Sequence, residues 1–238
     1  MSRVVAVVAA AGRGERLGSH SDERGKALVE IDGEPMVGLA VRGLRAAGVE
    51  TVVVVHPPGE EEAFADVVGP AVRLVPGGST RTDSVRAGFA ATPEEFELVA
   101  VHDAARPLVG AAVVRRAIAA VRDDVVASAP GLPVADTLKR VENGTVVETI
   151  DRRGLWAVQT PQVIRRDVLA AALDPAQGAA TDDLGLVERA IADGIVAGRV
   201  VVVASDRRGT KITGPEDLAF VRALREGEAV APVGEHRS

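Results

Sequence analysis

The sequence predicts an α/β fold: a mostly parallel sheet with helices on both faces, and an antiparallel β-ribbon arm standing out from it. Three observations carry this. Val4–Val8 is an unbroken apolar run, as expected of a strand buried on both faces. Short β-branched runs then alternate with segments whose apolar residues recur at three- and four-residue spacing, the βα rhythm of a parallel sheet. Between Leu132 and Ile150 that rhythm gives way to two extended runs around Asn143-Gly144, a strong hairpin signal. The sheet is therefore Rossmann-like, and ligands are expected at the carboxyl ends of its strands.

The first strand runs out into Ala9, Ala10, Ala11, Gly12 and Gly14, where a ligand can approach the backbone closely. Arg16 and Lys26 add two cations beside that opening. Small residues followed by spaced cations suit a nucleoside triphosphate, whose charge the cations offset. Neither familiar glycine motif is present. A dinucleotide fingerprint starting at Gly12 would need glycine where Leu17 stands. Gly25-Lys26 is followed by Ala27, not by the Ser or Thr of a P-loop.

Ala27–Ile31 reads as a short extended piece and Asp32-Gly33 as a turn. Pro35 opens a helix that Gly48 ends. Strands are expected at Thr51–Val55 and Val72–Val75, with a helix from Glu60 to Val67 between them. The loop Pro76–Ser84 follows the third strand, and its Ser79 or Thr80 can cap the next helix, on which Arg81, Val85 and Phe89 share a face. A fourth strand, Leu98–Val101, delivers His102-Asp103-Ala104-Ala105-Arg106-Pro107. An Asp in that place can meet a ribose hydroxyl or a metal, and Arg106 can reach a second anion. Gly110–Val121 reads as helix and Val125–Ala129 as strand. The ribbon Leu132–Val141 and Thr145–Ile150 comes next; being marginal alone, it needs something to pack against, most naturally a second subunit. Helices are expected at Arg166–Leu173, from the capped Thr181-Asp182-Asp183 to Ala192, and from Pro215 to Arg225, with a last strand at Arg199–Ala204. The tail from Glu226 is polar.

With 238 residues, 47% of them apolar, the chain can build one large domain, here 1–226 with 132–152 as a dimerisation arm and 227–238 as a tail. The absence of cysteine removes disulfides, thiolate nucleophiles and cysteine zinc sites. A net charge of −6 offers no general attraction for nucleic acid or an anionic membrane, so phosphate binding must be local. No run approaches the ~20 apolar residues of a spanning helix. Met1-Ser2-Arg3 enters a strand without a signal-peptide pattern, so a cytoplasmic protein is expected. Only Lys26, Lys139 and Lys211 are lysines among 28 basic residues. Where Arg serves nearly everywhere, a retained lysine marks a place suited to a compact point charge.

In order along the chain stand Ala10-Ala11-Gly12-x-Gly-x-Arg16, Lys26, Gly77-Gly78-x-x-Arg81-x-Asp83-Ser84, His102-Asp103-Ala104-Ala105-Arg106-Pro107, Asp136-Thr137-x-Lys139, Asp151-Arg152, Thr160-Pro161-Gln162, Thr181-Asp182-Asp183 and Lys211-Ile212-Thr213. From Val4 to about Leu224 this series resembles the 2-C-methyl-D-erythritol 4-phosphate cytidylyltransferases of the non-mevalonate isoprenoid pathway. The resemblance implies a nucleotide-diphospho-sugar transferase type of sheet, CTP as co-substrate, Mg²⁺ as cofactor and a homodimer. It implies that Arg16, Lys26 and Lys211 stabilise the triphosphate in transfer. Ala10, Ala11 and Gly12 would present backbone to the nucleotide, Gly78, Ser79 and Ser84 would face cytosine, and Asp103 and Ala104 would meet the ribose, Asp103 also the metal. Arg106, Thr137, Arg152 and Thr160 would hold the acceptor, with Thr137 and Arg152 from the partner's ribbon. Ala9 and Gly25 stand where the family usually has proline, and Ser79 replaces a common Asp. Ribitol 5-phosphate cytidylyltransferases share several of these motifs, and a catalytically silent nucleotide-binding protein is the alternative of a different class.

Overall fold

The computed structural model describes residues 3–12, 25–178 and 180–230, apart from the side chains of residues 177 and 227–230. Its main sheet holds β1 (Val4–Ala9), β4 (Thr51–His56), β5 (Arg73–Pro76), β6 (Leu98–Asp103), β7 (Val125–Pro133), β10 (Trp156–Val158), β11 (Gln162–Arg165) and β12 (Arg199–Ala204). The order runs β5-β4-β1-β6-β11-β7, with β12 parallel to β7 on one edge and β10 antiparallel to it on the other. Strands β1, β4, β5 and β6 are parallel; β11 is antiparallel to both β6 and β7. From β1 the chain moves outward to β4 and β5, then returns to place β6 on the other side. The crevice between the ends of β1 and β6 is thus the topological switch point.

The two faces of β1 explain why its sequence does not alternate. Ala6 and Val8 pack with α1 (Met36–Ala46), α2 (Glu61–Val68) and α4 (Ala111–Ala120). Val5 and Val7 pack with α3 (Arg81–Ala90), α5 (Arg166–Ala172) and α6 (Asp183–Ala192). All four residues are fully buried. The last helix, α7 (Pro215–Val230), packs Leu218 and Val221 against Ile31, Met36 and Leu39. It continues beyond Arg225, where the sequence predicts its end; residues 231–238 lie outside the described residues.

Other corrections are local. Ala27–Ile31 is not one extended piece: Lys26–Leu28 forms a 3-10 turn, and only Glu30–Ile31 (β2) is strand, paired with Glu34–Pro35 (β3). The ribbon begins later than its apolar pattern predicts. Leu132 and Pro133 belong to β7 and pair with Ala157 and Trp156. The hairpin itself is β8 (Leu138–Glu142) and β9 (Thr145–Ile150), hydrogen-bonded only to each other among the described residues. Asn143 (φ 49°) and Gly144 (φ 79°) make its turn, a backbone that favours those two residue types. Arg140 pairs with Glu148 but Val141 with Val146, so Val147 is an extra, bulged residue. Val141, Val146 and Val147 are about half exposed, an apolar patch on an otherwise polar arm.

Candidate functional site

The switch point opens into a cavity of about 1260 Å³. Its floor is the end of β1 and β6: Ala9 pairs with Asp103, and the Ala104 N–H donates to the Ala9 carbonyl at 3.1 Å. Ala10, Ala11 and Gly12 form one wall. Gly77 and Gly78 of the β5–α3 loop form the facing wall. The two walls meet where Gly77 lies against Ala11; a Cβ at Gly77 would stand 2.5 Å from the Ala11 Cβ, so only glycine allows the approach. The Ser84 hydroxyl accepts from the Gly78 N–H at 3.1 Å and donates to the Thr80 carbonyl at 3.0 Å. Thr80 and Asp83 complete a capping box at the start of α3. Ser79 bonds the Asp83 carboxylate at 2.9 Å. The loop is therefore tied down by its own hydrogen bonds, and Gly77 to Thr80 and Ser84 line the cavity.

Among the described residues, three cationic side chains stand on the wall: Lys26, Arg81 and Lys211. Lys26 is brought there by the 3-10 turn, whose Ala27 is buried in the core. Lys211 is placed by a backbone tie: the Ile212 N–H donates to the Ala105 carbonyl at 2.8 Å. Between Arg81 and Lys211 lies Asp103. Lys211 Nζ approaches its Oδ2 at 2.7 Å, and Arg81 Nε and Nη2 approach its Oδ1 at 3.4 and 3.3 Å. Burial pushes the Asp103 carboxyl up, but the charges of Arg81 and Lys211 prevail and hold it down at about 2. Asp103 therefore stays ionised throughout the physiological range.

Behind the floor, His102 is fully buried, and burial takes its imidazole down to about 4 despite the Asp103 charge beside it. The contacts fix the neutral tautomer. Its Nε2–H donates to the Arg106 carbonyl (3.2 Å), leaving Nδ1 to accept from the Thr160 hydroxyl (3.0 Å). Thr160 Oγ1 in turn accepts from the Asp103 N–H at 3.1 Å. Below its ordinary value of 6.5 an unfolded His102 takes up a proton that the folded protein refuses until about pH 4. Stability accordingly falls as pH drops through that window, by about 3 kcal/mol from this group. In His102→Gln that part of the slope is expected to vanish in urea unfolding at pH 4–7; parallel curves for the two proteins would contradict the buried neutral imidazole.

The structure thus brings together Ala10, Ala11, Gly12, Lys26, Gly78, Ser79, Ser84, Asp103, Ala104 and Lys211 around one cavity. Arg106 and Thr160 stand behind the wall. Arg106 donates to the Gly209 carbonyl at 2.6 Å, and its Nε is buried without a partner among the described residues. Thr137 and Arg152 flank the hairpin at its base and are exposed. Arg16 lies outside the described residues. Sequence reasoning gave no site role to Arg81, His102, Gln162 or Asp183. Each stands in a quoted motif, but none has a local pattern that names its partner. Gln162 accepts the Asp183 and Leu184 N–H groups, both at 2.9 Å, and donates to Asp182 at 2.7 Å.

A family model described as IspD, 2-C-methyl-D-erythritol 4-phosphate cytidylyltransferase, matches residues 4–226. The chain belongs to this family. A cytidylyltransferase of that name from Nocardia farcinica is 46% identical over 230 residues, covering 95% of each chain. One from Frankia casuarinae is 44% identical over 224 residues, covering 93% of this chain and 81% of its own. The crystal structure of the Thermus thermophilus cytidylyltransferase superposes with a TM-score of 0.76 at 30% identity, over 95% of this chain and all of that one. The cytidylyltransferase fold, a mixed and mostly parallel sheet with a separate antiparallel hairpin, is the one described above. Among the described residues no helix is long and apolar enough to cross a membrane.

Proposed function

We propose that this chain condenses CTP with 2-C-methyl-D-erythritol 4-phosphate, giving 4-diphosphocytidyl-2-C-methyl-D-erythritol and pyrophosphate. One observation carries the reading: in a member of this family, the cavity at the switch point gathers Arg81 and Lys211 around one carboxylate, Asp103, with Lys26 on the same wall. An oxygen of the acceptor phosphate attacks the α-phosphorus. The bond from that phosphorus to the oxygen bridging to the β-phosphate breaks, and pyrophosphate leaves with the electron pair. Little covalent work falls to the protein; positioning and charge neutralisation do most of it.

In this reading Ala10, Ala11 and Gly12 present backbone to the nucleotide. Gly78, Ser79 and Ser84 face cytosine, and Asp103 and Ala104 meet the ribose. Lys26, Lys211 and Arg16 lie along the triphosphate. Mg²⁺ takes oxygen ligands and is commonly held by one or two carboxylates plus substrate phosphates. Asp103 fits that donor pattern, and among the described residues no larger cluster of metal-binding side chains competes with it. When bound with the nucleotide, the ion would help neutralise charge on the phosphates. Asp103 would hold it, while Lys211 exchanges the carboxylate for a phosphate oxygen.

Arg106 of one chain, with Thr137 and Arg152 of a second, holds the acceptor, while Thr160, its hydroxyl taken up by His102 and the Asp103 N–H, acts from behind the wall by fixing the end of β6. The apolar patch Val141, Val146 and Val147 supports the arm as the dimer contact, since a lone two-stranded ribbon has no core of its own. Residues 1–226 then act as one domain, and the protein works in the cytoplasm. The test is pyrophosphate release from CTP and Mg²⁺, run with methylerythritol 4-phosphate, with ribitol 5-phosphate and without acceptor. Release with the first alone is expected. Release with ribitol phosphate instead would keep the chemistry and reassign the acceptor residues. CTP binding with no release from any mixture would make the protein a silent binder.

A further inference from the structure

Four charges of alternating sign run from the interior to the cavity: Asp183, Arg81, Asp103 and Lys211. The last three line the cavity, whereas Asp183 does not; its side chain is 1% exposed. Asp183 Oδ2 takes Arg81 Nη2 at 2.8 Å, and its Oδ1 is buried with no partner among the described residues. A buried carboxylate with an idle oxygen is unfavourable unless its charge is used.

The start of α6 does not use it. Asp182 is the N-cap and accepts the Gly185 N–H at 3.0 Å. Gln162 satisfies the Asp183 and Leu184 N–H groups. What the Asp183 carboxylate does hold is Arg81. Its contact with that guanidinium, at 2.8 Å, is closer than either contact of Arg81 with Asp103, at 3.3 and 3.4 Å. The tighter partner is therefore the one behind the wall. It draws the guanidinium back along Asp103 Oδ1 and leaves Oδ2 to Lys211 and the cavity. Without that pull, Arg81 would close on Asp103 as a bidentate pair, the preferred geometry of guanidinium with carboxylate.

We propose that Asp183 is a positioning residue, which by holding Arg81 keeps Asp103 turned toward the nucleotide cavity. The inference rests on the reading of Asp103 as part of the CTP site. Its test is a double-mutant cycle of Asp183→Asn and Arg81→Gln, read as kcat/KM for CTP and as the midpoint of thermal unfolding. Asp183→Asn is expected to lower kcat/KM by about tenfold, and Arg81→Gln by at least as much. The double variant is expected to match Arg81→Gln within about twofold, because Asp183 has nothing left to act through. Arg81→Gln alone leaves a buried lone carboxylate, so its unfolding midpoint is expected to rise when Asp183→Asn is added.

Losses in kcat/KM that multiply would overturn the proposal. So would a lowered midpoint for Asp183→Asn with unchanged kcat/KM, which is what a merely structural role produces. If Arg81→Gln does not fold, Arg81→Lys replaces it in the cycle, since a lysine keeps a charge there but cannot span both carboxylates. Asp103→Asn separates the two readings. If it leaves kcat/KM for CTP unchanged, the nucleotide site itself is misplaced, and the proposal fails with it. If it abolishes activity while Asp183→Asn behaves as the parent, only the positioning role fails.

Discussion

Lys26→Ala is expected to lower turnover about 100-fold or more, as loss of a preorganised charge-stabilising group does. Lys26 stands at the first position of a 3-10 turn whose next residue, Ala27, is anchored in the core. The ammonium therefore enters the cavity from a fixed point. Its charge also reaches Asp217, which ties down Thr213 and Gly214 beside Lys211. Gly25 before it has a φ of 79° and lies against Glu60, whose carboxylate would meet any Cβ added there at 2.9 Å. Initial rates of pyrophosphate release at saturating CTP and acceptor measure the effect. A rate near that of the parent protein would remove Lys26 from the transfer step.

Asp103→Asn is expected to lower turnover to a similar degree, about 100-fold or more, and to destabilise the fold as well. The carboxylate is a counter-charge for Lys211 and, together with Asp183, for Arg81. With its carboxyl held at about 2 against an ordinary 3.8, Asp103 contributes stability that is present above pH 3.8 and lost as pH falls toward 2. By linkage that contribution is about 2 kcal/mol. The asparagine variant is expected to unfold at lower urea at pH 7, with the gap to the parent closing in acid. A gap that stays constant down to pH 2 would contradict the charge-paired carboxylate.

Legibility followed the range of the interactions. Val4–Val8, Thr51–Val55 and Leu98–Val101 are readable because a strand buried on both faces needs an unbroken apolar run, and the structure extends these strands to Ala9, His56 and Asp103. Caps at Ser79 or Thr80 and within Thr181-Asp182-Asp183 are readable because a cap is settled within four residues, and the structure places them at Thr80 and Asp182. From sequence, β7 reads as strand only over Val125–Ala129. In the fold, the Pro130 carbonyl accepts from the Gln159 N–H at 2.7 Å, and the strand continues to Pro133. β10 and β11 are three and four residues long, too short for any period to show. The same rule divides the site. Small residues after β1 and the isolated lysines mark the cavity from sequence. The union of Arg81 with Asp183, or of His102 with Thr160, joins residues 102 and 58 positions apart. Asp183 reads from sequence as part of a capped helix start; only the fold turns it inward onto Arg81.

The central claim is that each working site joins the cavity of one chain to the arm of another. Mixing Lys26→Ala and Arg152→Ala subunits, each inactive alone, tests it most directly. Random exchange of equal amounts makes half the dimers mixed, and each mixed dimer carries both lesions in one pocket and none in the other. About a quarter of the parent activity is therefore expected to return. No recovery, with subunit exchange verified by mass spectrometry, would mean that Lys26 and Arg152 serve a site built within one chain.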